Sequence, residues 1–130
     1  MLVREVMTSA VLTVGPAHTI RQVAQAMRER HVGAVVVLDP EADGPGILTE
    51  RDVLEAVAGG QDLDKELAAD HLTPEAVVGM PDWDLDMAAA AMVAGGFRHL
   101  VICDDSDVVG VLSVRDIVRV WSQSRSSATA

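Results

Sequence analysis

The sequence predicts an α/β fold made of two copies of one small strand–helix–strand–strand–helix unit. Three observations carry that expectation. The phrase GILTERD, Gly46 to Asp52, returns as GVLSVRD, Gly110 to Asp116. The residues leading up to each phrase repeat at a spacing of 65. The core must also be aliphatic, because hydrophobic residues make up 49% of the 130 but aromatics only 2%. Layers of interdigitating aliphatic side chains are typical of α/β proteins.

Each element can be placed in turn. Met7-Thr8 is answered by Leu72-Thr73, and Pro16 by Pro81. After the first proline, Ile20, Val23, Ala24 and Met27 fall at i, i+3, i+4 and i+7, one face of a helix. Leu85, Ala88, Ala89 and Met92 repeat that face. The aliphatic runs VGAVVVLD (32–39) and FRHLVICD (97–104) read as buried strands. The repeated phrase follows as a further strand that opens a short helix. One residue is lost before the second phrase, where DSDVV answers PEADGP in a turn.

Residues 1–58 therefore form the first repeat and 70–122 the second, with 59–69 as linker. Residues 123–130, SRSSATA with its preceding glutamine, have no apolar periodicity and are expected to be disordered. A unit of about sixty residues rarely buries an adequate core alone. Two copies packed face to face through their sheets, about a pseudo-twofold axis, solve that problem.

Composition excludes several function classes. Ten basic residues against twenty acidic ones give a net charge of −10. That sign disfavours nucleic acid and anionic membrane surfaces. No apolar run approaches the ~18 residues needed to span a bilayer. Arg4 and Glu5 stand where a signal peptide needs apolar residues, so a soluble cytoplasmic protein is expected. Cys103 is the one cysteine, which leaves no intramolecular disulfide and no multi-cysteine zinc site. The spacing of His71, His99 and Cys103 matches no zinc pattern, and a buried inert thiol is expected at Cys103. The sequence holds no nucleophile elbow and no P-loop, so neither a catalytic site nor a catalytic cofactor is expected.

The repeated phrase admits two readings. Thr49-Glu50-Arg51-Asp52 has the hydroxyl-x-x-acid spacing of a capping box, as does Ser113 to Asp116. Both copies use Asp where Glu or Gln is preferred, and the shorter acid is expected to reach back less well. The other reading is a ligand corner. A hydroxyl at a strand end that opens a helix gathers backbone N–H groups suited to an anion. An aspartate one turn in can accept from two adjacent hydroxyls, as on a ribose. Aliphatic residues such as Val32 and Val111 would flank a flat base. Likewise the alanines of DMAAAAMVAGG, Asp86 to Gly96, suit either a helix–helix contact in a dimer or plain helix propensity.

The ordered duplication of Gly-h-h-[Thr/Ser]-x-x-Asp, with an aliphatic-Gly-Ala run before the first copy, resembles the cystathionine-β-synthase (CBS) domain. Two copies resemble a CBS pair, or Bateman module, over about residues 1–122. The resemblance implies a βαββα fold per repeat and two clefts between the repeats. It also implies a non-catalytic module that senses AMP, ADP, ATP, S-adenosylmethionine or NAD(H), with AMP or ATP foremost. Such a module signals to a separate effector protein and forms a homodimer. A ligand-free structural or dimerisation module is the alternative.

Carried over by position, the first cleft takes Val111, Ser113 and Asp116, joined by Thr8, Leu12, Val32 and Gly33. Arg98 and His99 fall where phosphate-contacting residues occur in adenylate-sensing relatives, though in the reverse order. The second cleft takes Ile47, Thr49 and Asp52 with Thr73, Val77 and Phe97. There Gly33-Ala34 replaces the Arg98-His99 pair and offers no charge, so the corner at Asp116 is the expected site for a phosphorylated ligand.

Overall fold

A computed structural model describes residues 1–123 in full and the backbone of 124–129. All but the first residue of the tail expected over 123–130 lies outside the fully described residues. Two three-stranded sheets are each flanked by helices. In the first, β1 (Thr13–Val14) runs parallel to β2 (Ala34–Val37), which pairs antiparallel with β3 (Gly46–Thr49). Helix α1 (Ile20–Arg30) links β1 to β2, and α2 (Glu50–Ala58) follows β3. After a four-residue helix, α3 (Ala68–His71), the order repeats. It runs β4 (Val78–Gly79), α4 (Leu85–Gly95), β5 (His99–Asp104), β6 (Asp107–Ser113) and α5 (Val114–Thr129).

Local chemistry sets the ends of these helices. Thr19 caps α1 by accepting from the Gln22 amide, and Asp84 caps α4 by accepting from the Asp86 amide. At their C-termini the chain turns left-handed at His31 (φ 54°) and Gly96 (φ 70°), matching places in the two repeats. Glycine takes that turn without the Cβ penalty that His31 bears.

The chain divides into two compact units, and their boundary does not fall at the sequence linker. One unit is Val11–Ala76; the other joins Met1–Ala10 to Val77–Ala130. In the first, Ile20, Val23 and Met27 of α1 pack with Val35, Val37 and Leu48 of the sheet. Leu63 from the linker, Ala68 and Leu72 complete that cluster. In the second, Leu100, Ile102 and Leu112 pack with Ala88 and Met92 of α4, and Val3 and Val6 from the N-terminus join them. Those clusters bury the apolar faces expected from the 3.6-residue period. Side chains alternate across a strand, so His99, Val101, Val111 and Ser113 lie on the face opposite Leu100 and Leu112.

The lead-in segments explain the glycine of the repeated phrase. Thr8 exchanges two backbone hydrogen bonds with Val111 (2.9 and 3.0 Å), and Thr73 does the same with Ile47 (2.8 and 3.0 Å). Each segment passes directly over the phrase's glycine. A Cβ on Gly110 would stand 2.4 Å from Met7 Sδ and 3.1 Å from the Thr8 carbonyl oxygen. On Gly46 it would meet Leu72 Cδ1 at 3.1 Å and the Thr73 carbonyl oxygen at 3.3 Å. Gly110→Ala should therefore lift the Met7-Thr8 segment and cost about 1–3 kcal/mol. Hydrogen exchange at the Thr8 and Val111 amides checks this; unchanged protection would mean that the strand accommodates the methyl group.

One strand boundary departs from expectation. Residues Asp107 to Val109, expected in a turn, extend β6, and the reversal is confined to Asp105 and Ser106 between Asp104 and Asp107. Asp105 takes a positive φ of 54°, which closes the hairpin tightly. A register shift between Ile102 and Cys103 absorbs the change in loop length.

Candidate functional site

The two candidate corners sit at the strand-to-helix junctions β6–α5 and β3–α2. At β6–α5, Asp116 lies one turn into the helix and is 3% exposed, the single buried charged residue among those described. Its Oδ2 accepts from the Ser113 amide at 2.9 Å, while Ser113 Oγ accepts from the Asp116 amide at 3.1 Å. Its Oδ1 accepts from Arg119 Nη2 at 2.9 Å. The capping box is thus complete. At β3–α2, Asp52 Oδ2 accepts from the Thr49 amide at 2.8 Å and from the Thr49 hydroxyl at 3.2 Å. The shorter acid is expected to reach back less well than Glu or Gln. Here it does reach, because the helix start brings residue i+3 close enough for the shorter side chain.

The same geometry qualifies the anion reading. The Val114 amide donates to the Arg98 carbonyl at 3.0 Å, and the Glu50 amide to that of Gly33 at 3.0 Å. With the Asp116 amide bonded to Ser113, two of the leading amides of α5 are already committed internally. That leaves fewer backbone donors for an anion at this corner and gives charged side chains the larger part.

Within the unit that holds β6, the structure brings several named residues together. Thr8 is the backbone partner of Val111, and His99 lies opposite Ser113 in register. Arg98 immediately precedes His99 and is exposed. Leu12, Val32 and Gly33 belong to the other unit. There Thr73 is the partner of Ile47, and Thr49 and Asp52 follow on the same strand and helix. Val77 and Phe97 belong to the unit with β6.

Sequence reasoning missed Arg119. Its signal was legible: Asp116 and Arg119 are three apart on a helix, a spacing at which side chains meet. The place three residues after Asp52 holds Glu55, which cannot make such a pair.

The other singled-out groups have ordinary structural roles. His71 Nε2 lies 3.2 Å from Glu66 Oε1. Among the described residues, no cluster of three or more His, Cys, Asp or Glu could hold a metal ion, and no helix is long and apolar enough to cross a membrane. Cys103 is buried in β5, and burial, reinforced by Asp107, pushes its thiol up from its ordinary pKa. The thiolate is the reactive form, so Cys103 should alkylate far more slowly than free cysteine at pH 7 in the folded protein. Timed iodoacetamide labelling with and without denaturant measures this; equal rates would contradict it.

A duplicated βαββα architecture with an acid-capped corner after the last strand of each copy defines the class as a tandem repeat of one small α/β domain. The chain belongs to the CBS domain family, whose profile matches residues 3–59 and 68–122. CBS domains are in general regulatory and non-catalytic. The CBS domain-containing protein YhcV of Bacillus subtilis is 31% identical over 129 residues, covering 98% of this chain and 91% of that protein. An uncharacterized protein of Methanopyrus kandleri is 33% identical over 120 residues; the match takes in 91% of this chain but 61% of that relative's length. Among solved structures, a CBS domain protein from Pyrobaculum aerophilum complexed with AMP is similar. It has a TM-score of 0.81 and 28% identity, with 89% of each chain covered.

Proposed function

We propose that the chain is a regulatory module that binds an adenosine nucleotide at the corner around Asp116, has no catalytic activity of its own, and signals to a separate effector protein. The carrying observation is a buried aspartate one turn into α5, beside Ser113, with His99 on the adjoining strand, Arg98 just before it, and Thr8 paired across Val111. Asp116 would take the ribose hydroxyls and Val111 would flank the base. Arg98 and His99 would supply the charge for phosphate. The AMP complex of the Pyrobaculum relative supports an adenosine ligand, and AMP or ATP is the first choice. The mirror corner lacks a comparable pair, since Gly33 and Ala34 stand at those places. Its residues Ile47, Thr49, Asp52 and Thr73 would bind more weakly.

A homodimer is part of this reading. Helix α4 leaves Met87 and Val93 exposed, Val93 by 84%, and α5 leaves Val118 and Trp121 exposed. Apolar faces of that kind suit a helix–helix contact.

The alternative, a ligand-free structural or dimerisation module, is favoured by one observation: both aspartates already serve as helix caps. Calorimetric titration with AMP, ATP, S-adenosylmethionine and NADH separates the two. Saturable binding that disappears in Asp116→Ala and persists in Asp52→Ala supports the sensor. Silence from all four ligands, with both variants folded, leaves the caps as caps.

A further inference from the structure

We infer that Arg119 is a latch on Asp116, closing the carboxylate at the one corner suited to a phosphorylated ligand and giving way when a ribose arrives. The inference rests on the adenosine-binding reading of that corner and adds how the corner is regulated. Each oxygen of Asp116 already has one donor: the Ser113 amide on Oδ2 and the Arg119 guanidinium on Oδ1. A vicinal diol that engages both oxygens meets Arg119 on one of them. The amide belongs to the backbone and stays. The guanidinium is on a flexible stem and can leave.

The two partners differ in a way that favours release. The Asp116 side chain is 4% exposed and Arg119 is 55% exposed. Arg119 is therefore largely hydrated while paired and loses little on swinging out. The carboxylate stays buried and passes from one donor to another. Asp52 has no counterpart, because Glu55 occupies the matching place and repels rather than covers. Asp52 is also the more exposed of the two aspartates. The latch thus belongs to one copy of the phrase. Its release frees the guanidinium of an already half-exposed arginine on α5, the helix that also exposes Val118 and Trp121. A partner that reads that surface would distinguish the two states.

Uncharged adenosine is the probe, because a phosphate would bring its own salt dependence. Wild type, Arg119→Gln and Arg119→Lys are titrated at pH 8 with adenosine and AMP, from about 50 mM to about 500 mM salt, a range that screens exposed ion pairs. Salt weakens the latch, so wild-type affinity for adenosine should rise roughly two- to five-fold. Arg119→Gln should bind adenosine roughly three- to ten-fold more tightly than wild type at low salt, with little salt dependence. The wild-type salt series decides the matter even if the variants fold poorly. Adenosine affinity that is flat or falls with salt overturns the latch alone, as does equal or weaker adenosine binding in a folded Arg119→Gln. AMP binding with no adenosine binding in any protein also overturns the latch alone. Silence from both ligands in every protein overturns the latch together with the reading beneath it.

Discussion

Asp116→Ala is expected to abolish saturable nucleotide binding while leaving a folded protein less stable by about 0.5–2 kcal/mol. Both effects follow from the same two oxygens. Truncation removes the acceptor of the Ser113 amide and the partner of Arg119. It also removes the acceptor pair that the proposed ribose contact requires. Asp116→Asn separates these roles, because an amide oxygen can still cap Ser113 while the charged acceptor pair is gone. Near-wild-type stability with lost binding in the asparagine variant would assign the aspartate to the ligand. Unchanged AMP affinity in both variants would leave it a cap. The sign is opposite to that expected for Arg119→Gln, so the neighbouring pair is dissected by calorimetry and melting on the same proteins.

Leu112→Ala is expected to cost about 2–5 kcal/mol. Leu112 is fully buried on β6 and stands opposite Leu100, also fully buried. Both belong to the cluster with Ile102, Met92, Val3 and Val6. Backbone pairing holds the strand in place, so the site cannot collapse around the lost atoms and a cavity remains. Domains of this size have about 5–15 kcal/mol in total, so the loss is a large fraction and should appear as a lower urea midpoint. Val111→Ala, one residue away on the opposite face, should cost less and weaken ligand binding instead. A Leu112→Ala midpoint equal to that of wild type would contradict the assignment of β6's inner face.

Much of the fold was legible because its signals are local. The residues Ile20, Val23 and Met27, and Leu85, Ala88 and Met92, mark helix faces by period alone. The runs at Ala34–Val37 and His99–Asp104 are too aliphatic to sit anywhere but in a buried strand. The duplication also matches Thr8 with Thr73 and Asp52 with Asp116. The reach of the aspartates was not legible, because whether the shorter acid meets the amide three residues back depends on the local geometry of the helix start, which gives 2.8 and 2.9 Å.

The two copies, their order of elements, the faces of their helices and the acid that closes each phrase can all be read from residue identities. These rest on side-chain period and on hydrogen bonds between residues no more than four apart. Tertiary structure alone decided which segments share a core. Met1–Ala10 packs with the second repeat's sheet, and Ala68 and Leu72 pack with the first's. That exchange is made by backbone bonds, Thr8 to Val111 and Thr73 to Ile47, between residues far apart in the chain. Main-chain groups are the same at every position, so their long-range pairing leaves no trace in residue identity beyond the glycine over which each segment crosses.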